Sequence, residues 1–474
     1  MLRKTVNHDD VRSAGETAGG AVAVMNEPIR IRVSPHSYFI ALLLGSFFSA
    51  FLFYLELDLP AVSLFIIAWI VVPFLAMNDH LVFDGRSLTR AGILPFLWSR
   101  LNGTRRRLKI NDIEQVETQA LRTMKRGGNV YYRYRTAIRG RGLVFAFASG
   151  GDEYRRMIRA LLPPLSDNIL DNRSIDLRDH LIDPKEVQMK AEFEHIPSAE
   201  FLRSEFGKTT SVPRPAAPPN DVERERADYL TGLGNELRIS GFLPQAAEAF
   251  RRALVIDPKS SRILYGLASC LASIAGTERD LKLKRRAVAA FRLALRDPRI
   301  AGETLSRIGE SLFQADEPAL AERAFRRVQD EFGGNFRAAR GLAEIALRDS
   351  KLAYVIHHFS AANRFSETPA ARRWTRGEVE YFSNLNNDDE YLDLEIGRVE
   401  MLESLDGLKR SSLRIALFGF PAIMIGLLVD DTLIANIGWS ISAIALLIWT
   451  GMNIGVKMLA ARIPYDLVET DDVN

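Results

Sequence analysis

Cysteine is nearly absent from this sequence, since Cys270 is the single cysteine among 474 residues. One cysteine cannot form a disulfide within the chain, which excludes the class of small secreted domains held together by disulfides. Cys270 lies among apolar residues of a segment with helical periodicity. We therefore predict a buried, small apolar side chain rather than a reactive thiol.

Catalytic signatures are also absent. The sequence contains no phosphate-binding Gly-rich loop, no dinucleotide-binding fingerprint and no nucleophile elbow. Its seven histidines are scattered, and the adjacent pair His357 and His358 would point about 100° apart on a helix, which does not suit metal chelation. The sequence therefore predicts a protein that is not an enzyme and that has no cofactor and no metal site.

A charge excess of either sign is missing too. The formal net charge of +3 is small for this length and gives no reason to expect a nucleic-acid partner. The mean hydropathy of −0.04 is nevertheless high for a chain in which 26% of residues are charged. Apolar residues must therefore be concentrated in particular segments.

Two pairs of uncharged apolar runs account for this concentration. Residues 38–55 and 59–77 form the first pair, and residues 413–429 and 433–456 form the second. A helix of roughly 18 residues reaches ~27 Å, close to the ~30 Å hydrocarbon layer of a bilayer. Pro73 would kink the second helix without excluding it from a membrane. Buried helical hairpins in a soluble core are the alternative, but we predict transmembrane hairpins at 37–77 and 413–457.

The charges around these hairpins predict their orientation. Acidic residues lie at both tips, and basic residues flank the open side of each hairpin. The positive-inside rule then places both termini and all intervening domains in the cytoplasm of a multi-pass protein of the bacterial inner (cell) membrane. The flanking basic residues are Arg30, Arg32, Arg86, Arg90, Lys409, Arg410, Arg414, Lys457 and Arg462.

Residues 78–165 have a different character. Short alternating strands are separated by turn dipeptides, and a helix from about residue 152 carries its apolar residues on one face. Strands followed by one amphipathic helix, directly after a membrane hairpin, resemble the bacterial pleckstrin-homology-like domains. The segment RRLKINDIEQVE, residues 106–117, fits the middle strands of that family. The resemblance implies a small antiparallel β domain with a C-terminal helix.

This segment is strongly basic, with 17 Lys and Arg against 7 Asp and Glu between residues 78 and 165. Basic residues close to an anionic leaflet gain about 1 kcal/mol each. The positive-inside bias alone would also enrich these positions. We predict that lipid headgroups face Arg105, Arg106, Arg107, Lys109 and Arg126.

Residues 227–260 form a unit that recurs along the chain, and a single copy could not bury its apolar face alone. Roughly four copies are present, above the minimum of about three that a stable stack needs. The recurring residues are Leu233, Gly234, Ala246, Phe250, Ala253 and Pro258; Leu267, Ala268, Ala287, Phe291, Ala294 and Pro298; Ile308, Gly309, Ala321 and Phe325; and Leu342, Ala343, Phe359 and Ala362, with half of a fifth copy around Trp374.

This spacing resembles the tetratricopeptide repeat (TPR). The resemblance implies an α-helical solenoid at 227–387 with a concave groove, lined at the second, fifth and ninth positions of each first helix. Asn235 matches the asparagine that clamps a peptide carboxylate in that family, but Thr231 stands where the family has lysine. A solvated polar face is the alternative for each groove residue. The implied groove residues are Asn235, Arg262, Tyr265, Glu303, Arg337, Arg340 and Glu344.

The remaining segments complete the predicted organisation. We predict a disordered N-terminus at 1–30, an acidic and Pro-rich linker at 166–226, and a C-terminal tail at 458–474. A helix at 388–412 would cap the array and continue into the second hairpin. Acidic residues at its start are spaced as in a calcium loop, but Asp389 stands where that loop needs glycine, so we prefer an N-cap at Asn387.

Together these features predict a membrane-anchored adaptor that presents a repeat groove and a basic β domain to a protein partner, with contacts to lipid and none to nucleic acid. The alternative is a structural subunit or assembly factor of a larger inner-membrane complex, held through its hairpins. Small residues on the apolar helices would permit such lateral packing. They are Gly419, Gly426, Gly438 and Gly451.

Overall fold

The computed structural model describes residues 28–33, 36–102, 105–124, 130–148, 151–205 and 219–466. Most of the N-terminal segment predicted to be disordered, the basic residue Arg126 and the end of the tail lie outside these described residues. The prediction for 1–30 is wrong at its end, because strand β1 (Ile29–Arg32) pairs with a strand that follows the first apolar hairpin.

Among the described residues, four helical segments are long and apolar enough to cross a membrane: His36–Tyr54, Asp58–Asn78, Asp389–Val429 and Thr432–Leu459. The first is α1 (His36–Tyr54). The second consists of α2 (Asp58–Ile66), a π-helical turn (Ile67–Val71) and α3 (Val72–Asn78). Pro73 is the second residue after the π turn, and since proline has no N–H to donate to the preceding turn, it explains the widened helix.

In the described part of the chain, seven strands form two antiparallel sheets, with β1 before the first hairpin and the other six after it. The first sheet has the order β1-β2-β3-β4, and the second has the order β5-β6-β7. Helix α4 (Ile93–Asn102), which the sequence did not predict, lies between β3 and β4. The segment 106–117, which resembles the middle strands of the pleckstrin-homology-like family, contributes to two strands, because a 3₁₀ turn (Ile110–Asp112) separates β4 from β5. The strands are β2 (His80–Phe83), β3 (Ser87–Ala91), β4 (Arg107–Lys109), β5 (Gln115–Met124), β6 (Val130–Gly140) and β7 (Leu143–Ala148).

Helix α5 (Asp152–Leu161) closes the core of these sheets. Its predicted apolar face is buried against strand residues, including Phe83 and Phe147, which confirms the sequence prediction for this helix. The buried residues of that face are Tyr154, Met157, Ile158, Leu161 and Leu162. We call β1–β7 with α4 and α5 the β domain.

The prediction of a linker at 166–226 is wrong for its first part. Residues 167–169 form a 3₁₀ turn, followed by α6 (Asn172–His180), α7 (Pro184–Phe193) and α8 (Ala199–Glu205). Asp171 and Asp183 cap α6 and α7 through hydrogen bonds from backbone N–H groups. Residues 206–218, which hold most of the prolines, lie outside the described residues.

The repeats fold as stacked helix pairs, which confirms the predicted α-helical array. The first helices of the pairs are α9 (Asp221–Ser240), α11 (Ser261–Glu278), α13 (Gly302–Gln314), α15 (Phe336–Arg348) and α17 (Pro369–Asn387). The second helices are α10 (Leu243–Ile256), α12 (Leu281–Ala294), α14 (Pro318–Phe332) and α16 (Leu352–Arg364).

The recurring glycine and phenylalanine of the repeat explain this stacking. The fully buried ring of Phe250 lies between Gly234 and Gly266, and a Cβ built on Gly266 would be 2.3 Å from the ring. Gly309 and Gly341 enclose Phe325 in the same way, at 2.5 Å and 2.4 Å from their built Cβ positions. A glycine on each of α9, α11, α13 and α15 therefore makes room for an aromatic ring from a second helix.

The chain ends in a second hairpin of α18 (Asp389–Val429) and α19 (Thr432–Leu459). The predicted connecting helix and the third apolar run are one continuous helix of 41 residues. Its N-cap is Asp388 rather than Asn387, since the Asp388 carboxylate accepts from the Tyr391 N–H at 2.9 Å. After α19 the chain returns to the base of this helix, where the Tyr391 hydroxyl donates to the Ile463 carbonyl at 2.7 Å.

Candidate functional site

The predicted groove is the inner face of the array, formed by α9, α11, α13 and α15. The structure fills much of it with the protein's own chain, since α6 contacts α9 and α13 while strand β5 contacts α11. The segment predicted to be a spacer is thus the segment that occupies the predicted partner site. We call residues 166–180, with α6 at their centre, the docked segment.

Arg337 shows how the docked segment is held. Its guanidinium pairs with Glu310 and donates to the Asn172 side chain at 3.1 Å and to the carbonyls of Asp167 and Leu170 at 3.3 Å and 3.1 Å. Asn172 in turn donates to the Arg307 carbonyl at 3.0 Å. A residue predicted to bind a partner therefore binds a turn of its own chain.

A buried ion-pair cluster fixes the middle of α6. Asp176 accepts from Arg238 of α9 at 2.7 Å and from Arg307 of α13, and the Asp176 side chain is 8% exposed. Burial by itself would raise the pKa of Asp176, but the two guanidiniums outweigh it and lower the pKa to about 2. The Asp176 carboxylate thus connects helices of two different repeats, although Asp176 itself lies outside the array.

The β domain contributes a second set of contacts. The Tyr134 hydroxyl donates to the Ile239 carbonyl at 2.6 Å, and Arg122 donates to the Ser273 carbonyl at 2.9 Å. Within the domain, buried hydroxyls of Thr118, Thr136, Tyr154 and Ser174 form one chain, with oxygen–oxygen distances of 2.8–3.1 Å. This chain connects the second sheet to α6, so the β domain and the docked segment engage the array as one body.

Asp171 lies where the docked segment meets β5. Its carboxylate accepts from the backbone N–H of Ser174 at 2.8 Å and of Thr118 at 3.3 Å. Burial raises the pKa of Asp171 to about 6, although these hydrogen bonds act in the opposite direction.

The other predicted groove residues have varied surroundings. Tyr265 is buried, with the Arg307 guanidinium 5.2 Å from its ring centroid. The Arg340 guanidinium donates a hydrogen bond to the Glu344 carboxylate at 2.8 Å, and its central carbon lies 5.5 Å from the Trp374 ring centroid. The Asn235 amide oxygen accepts weakly from Arg238 at 3.4 Å. Arg262 pairs with Asp228 at the surface, and Glu303 is exposed.

A cavity of about 800 Å³ remains between β5, the docked segment and helices α11, α13 and α15. Its wall combines carboxylates such as Glu310 and Glu344 with guanidiniums such as Arg122 and Arg340. Arg279 and Lys284 lie on this wall and are exposed. The part of the groove that the docked segment leaves open therefore carries charged groups of both signs.

The basic residues predicted to face lipid lie at or near β4. Arg105 and Lys109 are exposed. The Arg106 guanidinium lies 4.8 Å from the Phe96 ring centroid on α4, and Arg107 pairs with Asp84 at 3.0 Å. Two of these four residues are thus directed to the protein's own groups.

Metal and thiol chemistry receive no support from the described part of the chain. It contains no group of three or more His, Cys, Asp or Glu side chains placed to hold a metal ion. Cys270 is fully buried, its thiol donates to the Leu243 carbonyl at 3.3 Å, and burial raises the pKa of the thiol to about 12. A thiol in that state is a poor nucleophile.

Sequence reasoning missed Asp176, Arg238, Arg307, Glu310 and Asn172. The groove positions that the TPR resemblance implies lie at other residues of the same helices. The segment containing Asp176 was predicted to be a linker. A signal for its helices was present, because Asp171 precedes Ser174 by three residues and Asp183 precedes Pro184, two patterns typical of helix starts. Those signals predict the helices, but they do not indicate where the helices pack.

No family model and no curated protein matches the chain. Among solved structures, the chain is similar to one described as the functional characterization of Pseudomonas aeruginosa pilF, with 19% identity and a TM-score of 0.30 over 50% of this chain and 100% of that chain. It is also similar to a chain of the APC/C hetero-tetramer Cut9-Hcn1, with 14% identity and a TM-score of 0.29 over 63% of this chain and 52% of that chain. The chain thus spans about half the length of the second structure, and TM-scores this low add no argument to the helix pairs described above.

Proposed function

We propose that this protein is a membrane-anchored scaffold for protein–protein interaction, with its β domain and repeat array in the cytoplasm. The observation that carries the proposal is the inner face of the array. Its side chains hold a turn and a helix through directed contacts, as Arg337 and Arg307 do with the docked segment. Stacked helix pairs that recognise a chain segment in this way suit binding of a protein partner.

The partner site in this proposal is the open part of the groove. The docked segment already engages Arg337, so a partner that avoids displacing it must use the cavity beside α11 and α13. The exposed Arg279 and Lys284 give the cavity rim a basic character, so the partner segment would be acidic. The β domain, which we propose to be pleckstrin-homology-like on its antiparallel strands and C-terminal helix, forms the opposite wall.

Chemical crosslinking in native membranes, followed by solubilisation and mass spectrometry, tests the scaffold. Wild-type protein should crosslink to a soluble partner from Lys284, and Arg279→Glu, which leaves that lysine in place, should reduce the capture while retaining the fold. Arg299→Glu, at an exposed position outside the cavity wall, is the matched control. Equal capture by both variants would contradict the cavity assignment.

The alternative function, a structural subunit held through its hairpins, has less support. Four glycines of the second hairpin were expected to face another protein. Three of them instead face the other helix of the same hairpin. Built Cβ atoms would meet Ser442 from Gly419, Ala435 from Gly426 and Ile423 from Gly438, each within 2.6 Å. Gly451 alone of the four faces open space. Stoichiometric co-purification with integral membrane proteins that is lost when both hairpins are replaced would favour this alternative.

A further inference from the structure

Helix α4 exposes an unusual amount of apolar surface for a helix that belongs to a polar domain. Ile93, Leu94, Phe96 and Leu97 are 49%, 42%, 50% and 52% exposed. The helix is inserted between β3 and β4, two neighbouring strands that a short turn would connect. Four exposed large apolar side chains on one short helix indicate a surface that something covers.

The position of α4 is fixed at the end of the first apolar hairpin. Gly92, directly before the helix, has φ +151°, and a Cβ on it would lie 2.9 Å from the Asn78 carbonyl oxygen and 3.2 Å from the Asp79 Cα. Asn78 is the last residue of α3, which α4 contacts. The helix therefore begins where the hairpin enters the β domain.

A buried ion pair makes this junction rigid. Asp79 is 1% exposed, accepts from Arg90 of β3 at 2.9 Å and accepts from the Tyr38 hydroxyl of α1 at 2.8 Å. Both ends of the hairpin are thus attached to the first sheet. Because α4 also contacts β3, the fold fixes the position of α4 along the axis of the hairpin.

Basic residues surround the apolar face of α4. Arg100 is exposed in the last turn of the helix, and the Arg106 guanidinium lies over Phe96. Arg105 is exposed close by in the chain. The apolar face also continues an apolar surface of the hairpin, where Phe74 and Met77 are 54% and 63% exposed. Apolar residues with a basic rim are typical of helices that lie in the interface of an anionic bilayer.

We propose that α4 lies in the plane of the membrane interface, with its apolar side chains among anionic phospholipids and its arginines at their phosphates. This inference rests on the proposed membrane anchoring. A bilayer is favoured over a second copy of the chain because the same apolar surface continues onto the hairpin. The helix would fix the distance between the bilayer and the β domain.

Site-directed fluorescence on the full-length protein in vesicles tests this proposal. An environment-sensitive dye is attached to Leu97→Cys, and native Cys270 does not interfere because it is fully buried. Val144→Cys on β7, which is 61% exposed, is the aqueous control, and Leu428→Cys on α18, which is 80% exposed, is the membrane control. The vesicles contain phosphatidylcholine with or without phosphatidylglycerol, and brominated lipids serve as quenchers.

We expect brominated lipids to quench dyes at 97 and 428 but not at 144. An unquenched dye at 97 with a quenched dye at 428 would overturn the inference and leave the membrane anchoring intact. If the unquenched dye at 97 is also shielded from water, the helix is covered by protein instead of lipid. An unquenched dye at 428 would overturn the proposed anchoring, and the inference with it. Arg100→Glu should reduce quenching at 97 in phosphatidylglycerol vesicles, whereas Arg135→Glu on β6 should not; equal effects would overturn the role of the anionic lipid.

Discussion

At the scale of single residues, Asp176 connects the docked segment to two repeats. Asp176→Asn leaves the Arg238 and Arg307 guanidiniums buried without a carboxylate. We expect the free energy of unfolding of the β domain and array to fall by about 3–5 kcal/mol, the usual result of removing one partner of a buried ion pair. Denaturant unfolding of solubilised protein, followed by circular dichroism, measures this.

An exposed pair provides the control for Asp176. Asp316 pairs with Arg348 at 2.9 Å, but their side chains are 71% and 46% exposed. Asp316→Asn should therefore change the free energy of unfolding by less than about 1 kcal/mol. Equal losses in the two variants would show that the Asp176 cluster has no special role.

The same carboxylate predicts a pH dependence. The pKa of Asp176 is lowered from 3.8 to about 2 in the folded protein. The unfolded chain therefore takes up a proton first as the pH falls, so the stabilisation from Asp176 is complete above a pH of about 4 and is lost as the pH falls towards 2. Unfolding midpoints of wild type and Asp176→Asn should converge over that range, and a constant difference would contradict the assignment.

The glycines around Phe250 and Phe325 predict a different kind of defect. Gly266→Ala and Gly341→Ala would place a methyl group against a fully buried ring. We expect overpacking to lower the free energy of unfolding by about 1–3 kcal/mol in each variant. The better helix propensity of alanine offsets at most about 1 kcal/mol of this loss. Gly377→Ala on α17, where no atom lies within 4 Å of a built Cβ, should instead be neutral or stabilising. Melting temperatures distinguish these outcomes.

At the scale of elements, the docked segment behaves as a ligand of the array. Arg337→Glu would replace its donor by an acceptor, facing Glu310 and the carbonyls of Asp167 and Leu170. We expect faster hydrogen exchange in residues 167–180, while the helix pairs keep their protection. Arg323→Glu, an exposed position on α14, is the control. Unchanged exchange in both variants would mean that the segment is held by its other contacts.

The contacts of Arg337 also limit what a charge reversal in the groove can show. From the sequence alone, Arg337→Glu with Arg340→Glu would remove partner capture and leave folding intact. In the structure Arg337 is 14% exposed and holds the chain's own backbone, so its reversal disturbs the fold as well. Loss of capture in that variant would not identify a partner site.

At the scale of the whole molecule, contacts between distant segments connect the two hairpins to each other and to the β domain and the array. Trp439 of α19 packs against Phe47, Phe51 and Tyr54 of α1, with ring centroids 5.2–5.7 Å apart. The chain after α19 returns to α17, where Arg462 pairs with Glu378 at 2.9 Å. The β domain and the array therefore meet through the docked segment and through the hairpins.

Cutting the chain tests this organisation. A protease site inserted within residues 206–218 would separate the β domain and first hairpin from the array and second hairpin. We expect the two fragments to remain together in detergent after cleavage, because Asp176, Arg337 and Trp439 all make contacts across the cut. Size-exclusion chromatography measures their association. Separation of the fragments would instead support the acidic and Pro-rich linker that the sequence predicted at 166–226.

The sequence by itself determined the four apolar helices, the repeat and the apolar face of α5. These features depend on local periodicity, such as the spacing of Gly234 and Phe250, and the periodicity stays readable whatever surrounds it. Membrane insertion and orientation also follow from sequence patterns, and they stay predictions.

Only the tertiary structure decided that the groove is occupied and that α4 lies at the end of the hairpin. Asp176 meets Arg238 and Arg307 across sequence separations of 62 and 131 residues, and no local pattern records such a pairing. A largely polar segment is typical of a linker, but here ion pairs and hydrogen bonds hold its polar side chains, while Ile169, Leu170, Ile175 and Leu177 are buried in the core of the β domain. Such contacts depend on the geometry of groups that meet only after the chain has folded, which is why the sequence did not reveal them.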